Sequence, residues 1–327
     1  MNEPLSAQSL QASQSAVTHF GRVSLGSDVT VGISAYGNYE TTRTCLECLF
    51  LSCTGDYELL LVDDCSPDEG KIRSLFLQAR TVHSNTSVLS FERNLEYSGS
   101  LNAILSQAKG ELVLFLSNDV FVTPAYLRVL IDIAGSSRTF GVMRGCSNFV
   151  DNALATHNVG APKGQSISSD DLFLFAQDIE KTYGRQTLID EYLTGDAFMV
   201  SRAVIDKIGT LDPLFYGYFA DHDFGLRAQI AGFELVLARG AYAFHKRAAN
   251  FDYLPQVQRD LKLARRWARV FENWARFKLK YTLPVEIGYE STNLIPWGTL
   301  RQTEFSVAKH YTPPGDYSQY VLGPDVK

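Results

Sequence analysis

The sequence predicts an α/β fold, a doubly wound and mostly parallel sheet with a C-terminal helical extension. Short apolar runs alternate with amphipathic segments through the first 130 residues, and two of the runs end abruptly in acids. The first such run is Tyr57-Glu58-Leu59-Leu60-Leu61-Val62, ending in Asp63-Asp64. The second is Leu112-Val113-Leu114-Phe115-Leu116, ending in Ser117-Asn118-Asp119. In open α/β sheets ligands collect outside the carboxyl ends of the strands, and a carboxylate there can hold a divalent cation against a phosphate. Two such strands predict a nucleotide–metal site at one sheet edge.

The elements follow in order. Residues 29–33 (Val-Thr-Val-Gly-Ile) form a β-run, 34–38 a turn, and 39–51 a helix with Leu46, Leu49 and Phe50 on one side. Residues 57–62 form the next strand, 70–80 a helix, 87–91 a strand, 99–108 a helix and 111–116 the fourth strand. This alternation implies right-handed crossovers between parallel strands. A helix follows Pro124 through residue 134. From 141 to 195 the periodicity weakens, and a helix over 172–183 is the single element the pattern supports. A strand at 197–200, helices at 201–208 and 221–231 and a strand at 234–237 complete this part. Residues 1–28 read as a flexible tail, and 29–250 as one domain whose nucleotide-binding half is 29–119 and whose acceptor half is 120–250. Residues 251–327 read as an amphipathic helix followed by an extended, proline-bearing wrap, with a linker near 247–255.

Composition narrows the class. The 327 residues are 45% hydrophobic, ample for a core, and the formal charge of −6 argues against a general nucleic-acid binder. Charge is uneven. Residues 259–280 carry eight Lys and Arg against Asp260 and Glu272, a local +6 that leaves the remainder at −12. Cys45, Cys48 and Cys53 cluster in one helix and at its end, without a zinc-ligand pattern downstream, which suits a reduced, cytosolic compartment and small helix-packing residues. No stretch has the length of a membrane span, and the start lacks the charged-then-apolar pattern of a secretion signal.

Five short motifs stand in order: Val29 to Ile33; Val62-Asp63-Asp64-Cys65-Ser66; Arg93-Asn94-Leu95 with Asn102; Phe115-Leu116-Ser117-Asn118-Asp119; and Asp221-His222-Asp223-Phe224-Gly225-Leu226-Arg227. Together they resemble the signature of family 2 inverting glycosyltransferases with the GT-A fold, a Rossmann-like mixed sheet. The resemblance covers roughly 29–247.

It implies a nucleoside-diphosphate sugar as donor, UDP- or dTDP-linked, and a hydroxyl of a glycan or lipid-linked glycan as acceptor, in polysaccharide biosynthesis. Tyr36 then lies beside the base, where an aromatic face can stack. Asp64 matches the residue that accepts the base N3–H, which uracil and thymine have and cytosine lacks. Asp63 either joins it or holds the loop by accepting backbone N–H groups. Arg93 and Asn94 match the edge of base and ribose. The family's Asp-x-Asp metal motif reads Ser117-Asn118-Asp119 here, so Asp119 remains as the acid for Mg²⁺ or Mn²⁺, with Ser117 and Asn118 near the nucleotide. His245 matches a C-terminal metal-binding His, and its imidazole suits Mn²⁺.

The resemblance also gives the catalytic base. Asp221 matches it in a pattern usually reading Glu-Asp-x-Asp, with Ala220 replacing the Glu. Asp223 competes for the role, or sits near the sugar or acceptor, or caps the helix start, and Arg227 one turn on is expected to pair with it. Thr194-Gly195-Asp196 matches a loop beneath donor sugar and acceptor, where Gly195 permits close approach and Asp196 can read a hydroxyl.

Leu263, Trp267, Phe271 and Trp274 recur at helical spacing in 256–281. Two expectations stand for that helix: peripheral contact with the inner face of a membrane, or packing of the aromatic stripe on the catalytic domain or a second subunit, making a homo-oligomer. Two rival functions are a catalytically silent glycan-binding or scaffolding protein, given Ser117 and Ala220, and a sugar nucleotidyltransferase. The latter needs a Gly-rich, Arg-containing loop after the first strand, and Ser34-Ala35-Tyr36-Gly37-Asn38 is not one.

Overall fold

The computed structural model describes residues 20–137, 139–150, 155–163, 168–246, 255–289, 295–306, 310–313 and 315–322. Most of the expected tail, the linker over 247–254, and Pro314 and Pro324 of the expected wrap lie outside the described residues.

The order is β1 (Val23–Leu25), β2 (Val29–Ala35), α1 (Tyr39–Ser52), β3 (Cys53–Gly55), β4 (Glu58–Asp63), α2 (Lys71–Val82), β5 (Thr86–Ser90), α3 (Glu96–Gln107), β6 (Leu112–Ser117), β7 (Val120–Phe121) and α4 (Pro124–Ala134). Then come β8 (Phe140–Ser147), α5 (Ser169–Tyr183), β9 (Thr187–Ile189), β10 (Ala197–Ser201), α6 (Arg202–Ile208), α7 (Ala220–Ile230), β11 (Glu234–His245), α8 (Gln256–Tyr281) and α9 (Trp297–Arg301). The main sheet runs β5-β4-β2-β6-β10-β8-β11-β7, and β9 pairs with β11. Pairing is parallel from β5 to β6, antiparallel on both sides of β10, and parallel again between β8 and β11.

The apolar runs are continuous because both faces of each strand are covered. Val31, Ile33, Leu59, Leu61, Leu114 and Leu116 face one core cluster, which includes Leu49 of α1, Ile72 of α2 and Leu130 of α4. Their neighbours Leu60, Val62, Val113 and Phe115 face a second cluster, with Leu101 of α3, Phe224 of α7, and Trp274 and Phe277 of α8. The sheet is thus the middle of three layers. Gly32 lets α3 settle close, since a Cβ there would run into the Ile104 side chain.

Register sets the site edge. Ala35 is level with Asp63, and Ser34 with Ser117. Ala197 of β10 is level with Leu116, and Val120 with His245 at the end of β11. Tyr36, Asp64, Asn118, Asp196 and His245 therefore leave the sheet along one edge.

The structure adds to the sequence expectation mainly in the second half. Residues 140–147, read as irregular, form β8 in the interior of the sheet, with all but its first residue buried. The strand at 234–237 extends to His245 with irregular pairing between Ala238 and Tyr242. Cys53, placed at the end of a helix, opens β3, which pairs with β1. All five cysteines are free thiols, four of them buried.

Helix α8 packs Val270, Asn273, Trp274, Phe277 and Tyr281 against the domain. The chain later returns to the β5 edge, where Val321 bridges Leu89 and the Leu322 N–H donates to the Val88 carbonyl at 2.9 Å. Among the described residues no helix is long and apolar enough to cross a membrane.

Candidate active site

The first half of the site is the loop edge of β2, β4 and β5. Asp63, the last residue of β4, accepts the Ser66 N–H at 2.9 Å, and the Ser66 hydroxyl accepts the Gly37 N–H at 2.8 Å. Asp63 thus ties the 64–66 turn to the loop after β2. Asp64 is buried. Its Oδ1 accepts the Leu95 N–H at 2.6 Å, which anchors the segment leading into α3. Burial above all pushes its carboxyl up to about 7, with the Glu96 charge adding and the Leu95 N–H and Ser100 hydroxyl opposing. Tyr36 stands beside this pocket with 45% of its surface exposed, an open face for stacking. Arg93 is exposed, whereas the Asn94 side chain accepts the Glu96 N–H at 2.7 Å and so shapes the start of α3.

Beyond β6, the Asn118 amide donates to the Thr42 hydroxyl at 2.7 Å and to the Gly37 carbonyl at 3.3 Å. Its donors are spent on the scaffold, holding the β2 loop against α1. Asp119 next to it faces His245, whose Nε2 lies 3.4 Å from Asp119 Oδ2. On its other side His245 Nδ1 lies 3.6 Å from Asp196 Oδ2 and 3.2 Å from the Phe149 carbonyl. Burial disfavours the charged imidazole, but Asp119, Asp196 and the carbonyl outweigh it and carry the group up to about 9. Arg144, almost wholly buried on β8, closes the row with one guanidinium nitrogen 2.9 Å from Asp196 Oδ1 and another donating to the Thr194 carbonyl at 2.8 Å. Arg144 was not among the sequence candidates; its signal was a cation inside an apolar stretch, Val142-Met143-Arg144.

The residues fit a divalent cation as a partial donor set. Two cis ligands of an octahedral ion lie about 3 Å apart, close to the Asp119–His245 separation. No group of three or more His, Cys, Asp or Glu side chains forms a metal cage among the described residues. A cation at Asp119 and His245 therefore needs oxygens from a phosphate-bearing ligand.

The second half of the site comes from α7 and the residues before β10. Phe219 adopts a left-handed backbone (φ 69°) and turns the chain into α7, with Asp221 in its first turn. Asp221 Oδ2 accepts the Gly195 N–H at 2.9 Å; Oδ1 accepts the His222 N–H at 3.0 Å and lies 3.1 Å from His222 Nδ1. The carboxylate keeps 17% of its surface open. His222 is stacked on Tyr192, with ring centroids 5.2 Å apart. Sequence reasoning missed His222, which the motif shows only as the variable residue between two acids. The Tyr97 hydroxyl donates to the Gly195 carbonyl at 2.8 Å, and burial with the Asp221 and Asp196 charges holds that hydroxyl protonated far above its usual range. A Cβ on Gly195 would strike Tyr97 Oη and come within 2.9 Å of Asp221 Cβ, so only glycine allows this approach.

Asp223, a rival for the base and for sugar contact, is wholly enclosed. Its carboxylate meets Arg227 Nε at 2.8 Å, Lys280 Nζ at 2.6 Å and the Tyr281 hydroxyl at 2.8 Å. It faces α8 with none of its surface open and joins α7 to the C-terminal helix. Arg227 pairs with it as the helical spacing implies. Ala220 is also fully buried, so the place of the family's Glu is closed by packing.

Strand order, parallel half and antiparallel β10 define the sheet of GT-A glycosyltransferases. The sequence model of Glycosyl transferase family 2 matches residues 30–209, more than half of the chain, and the chain belongs to that family. It is 24% identical over 193 residues to an uncharacterized glycosyltransferase of Nostoc sp., a match covering 59% of this chain and 56% of that relative. Among solved structures it is similar to GalNAc-T7 with UDP, GalNAc and Mn²⁺, with TM-score 0.54 and 15% identity over 69% of this chain and 44% of that one. The mannosyltransferase PcManGT of Pyrobaculum calidifontis, in complex with GDP-Man and Mn²⁺, matches at TM-score 0.48 and 13% identity, covering 89% of this chain and 87% of that one. The S. aureus TarS fragment 1–349 in complex with UDP-GlcNAc matches at TM-score 0.48 and 17% identity, covering 69% and 61%. At these identities the likeness concerns the fold. The chain spans little more than half the length of its Nostoc relative and less than half that of GalNAc-T7.

Proposed function

We propose that the protein is an inverting glycosyltransferase that moves a sugar from a nucleoside-diphosphate donor, UDP- or dTDP-linked, to a hydroxyl of a glycan or lipid-linked glycan. The carrying observation is the Gly195-Asp196 pair. Its first residue holds the Asp221 carboxylate and its second faces His245, so one short segment joins the candidate base to the candidate cation ligands.

In this reading Tyr36 stacks on the base and Asp64 accepts its N3–H, while Asp63 and Asn118 hold the loops that carry them. Asp119 and His245 would hold Mn²⁺ or Mg²⁺, which when bound offsets charge on the leaving diphosphate. Asp221 accepts the proton of the acceptor hydroxyl as its oxygen bonds to the sugar C1 and the C1–O bond to the diphosphate breaks, releasing the nucleoside diphosphate. Two backbone N–H groups fix the carboxylate, so it need not reorganise when the acceptor arrives. Arg144 orients Asp196 toward the donor sugar.

The test is Asp221→Asn, which keeps shape and removes the proton acceptor. Transfer should fall by on the order of 10²–10⁴ with donor affinity and fold retained, and NMR of the product should show an inverted anomeric centre. Undiminished transfer refutes the assignment, and a retained anomer refutes inversion.

A second reading, a catalytically silent glycan-binding or scaffolding protein, is favoured by Ser117 in place of a metal acid and by the closed position of Ala220. Hydrolysis or transfer of a donor by the purified chain discriminates the two. The place of action that fits a lipid-linked acceptor is the cytoplasmic face of a membrane.

A further inference from the structure

Helix α8 has two apolar faces; among the described residues one is packed on the domain, and the other is largely exposed, with Phe271 touching the rings of Trp267 and Tyr289 at its margin. The packed face is that of Val270, Trp274, Phe277 and Tyr281. Nearly opposite run Val257, Leu261, Ala264, Ala268, Phe271, Ala275 and Leu279, every one exposed; Val257, Leu261, Phe271 and Leu279 show 71, 56, 53 and 84% of their surface. From Val257 to Ala275 the steps alternate between four and three residues. That spacing is a coiled-coil seam, averaging about 3.5 residues per step, and it extends along roughly 27 Å of helix at 1.5 Å per residue.

We propose that a second copy of this chain packs antiparallel along this face, with the two-fold axis at Ala268. The register follows from size and charge. With Ala268 opposite its own copy, Leu261 is level with Ala275 and Phe271 within one residue of level with Ala264, so large side chains lie over small ones along the middle of the seam, while Val257 meets Leu279 at each end. The exposed flanks match as well. Arg265 on one side faces Glu272 of the other copy, and on the opposite side Asp260 faces Lys278. Each contact occurs twice by symmetry, as an isologous interface requires. Glu272 already holds Arg276 at 2.6 Å within its helix, and Lys278 donates to the Val285 and Ile287 carbonyls, leaving a third ammonium proton for Asp260.

The rival occupant, an anionic membrane, fits less well because much of the basic charge of the helix is turned inward. Arg269 pairs with Glu96 at 2.6 Å, Lys280 with Asp212 at 2.7 Å, Arg276 donates to the Leu214 carbonyl, and Arg266 lies over the Tyr218 ring. Three alanines in the stripe also favour close approach of a helix over insertion among lipid headgroups, where bulky side chains dominate.

Sedimentation velocity of the full chain over a concentration series should show a monomer–dimer equilibrium. Ala268→Glu, which sets two carboxylates against each other at the axis, should give a folded monomer with unchanged donor binding and a melting temperature that no longer depends on concentration and equals that of the dilute, monomeric wild type. Glu272→Arg should weaken the dimer and Arg265→Glu combined with Glu272→Arg should restore it. In a Cys65→Ser background, Ala268→Cys should cross-link to its own copy on oxidation while Ala264→Cys should not, whereas a parallel pair would cross-link at both. Monomer at every concentration overturns the proposal, as does a dimer that survives Ala268→Glu. Flotation of the monomer with phosphatidylserine vesicles, lost in Phe271→Asp, would assign the face to a membrane instead.

Discussion

Asp223→Asn gives the sharpest separation of structure from chemistry. Its charge and the three around it balance: Asp223 and Asp212 against Arg227 and Lys280, all at most 5% exposed. Arg227 also donates to the Ile208 and Thr210 carbonyls at 2.7 Å each, and Lys280 also donates to the His310 carbonyl at 2.6 Å. Asparagine keeps the volume and one acceptor oxygen but leaves a net positive charge enclosed. Unbalancing a buried pair costs about 3–5 kcal/mol, and with an unfolding entropy of about 2.1 cal/mol/K per residue a chain of this size loses roughly 1.5 °C per kcal/mol. Differential scanning calorimetry should therefore show a fall of about 4–8 °C, while transfer at a permissive temperature stays near wild type. Adding Lys280→Met removes the excess charge and should recover part of the loss. An unchanged melting temperature with abolished transfer refutes this reasoning and exchanges the roles of Asp223 and Asp221.

Three further outcomes follow from the site. Asp64, with its carboxyl pushed up to about 7 by burial, is mostly protonated at pH 6 and mostly ionised at pH 8, so UDP affinity by calorimetry should rise nearly tenfold across that interval and become flat in Asp64→Asn. The same raised value means that this group favours the folded, ligand-free chain below the ordinary carboxylate range and that the benefit is lost as pH rises through about 7; stability that rises over this window instead contradicts it. Turnover should be suppressed by EDTA, restored by Mn²⁺, and similarly lost in Asp119→Ala with the fold intact. Full activity in chelator means that positive side chains alone stabilise the diphosphate.

How much of this was legible in the sequence depends on how each residue is packed. Strands β2, β4 and β6 are covered on both faces, so their runs are uninterrupted and their ends are marked by Asp63 and Asp119. Strand β8 is equally buried, yet it carries Gly141, Arg144, Gly145, Cys146 and Ser147, because Tyr126 and the Ala241 backbone press on Gly145 and the Phe233 side chain on Gly141. Small residues chosen for close approach erase the apolar signal that reveals a strand. Arg144 breaks it further, and its purpose appears only when Asp196 and Thr194 arrive from a segment some fifty residues later. The sequence favours Asp221 over Asp223 through the resemblance, while the environment that distinguishes the two carboxylates is hidden for a similar reason. Both lie in the first turn of α7, and what separates them is Lys280 and Tyr281, side chains of a helix outside the resemblance. The C-terminal helix thus encloses Asp223 through Lys280 and Tyr281, whereas Asp221, held by the Gly195 N–H, keeps 17% of its side chain open, which is why the proposed base is Asp221.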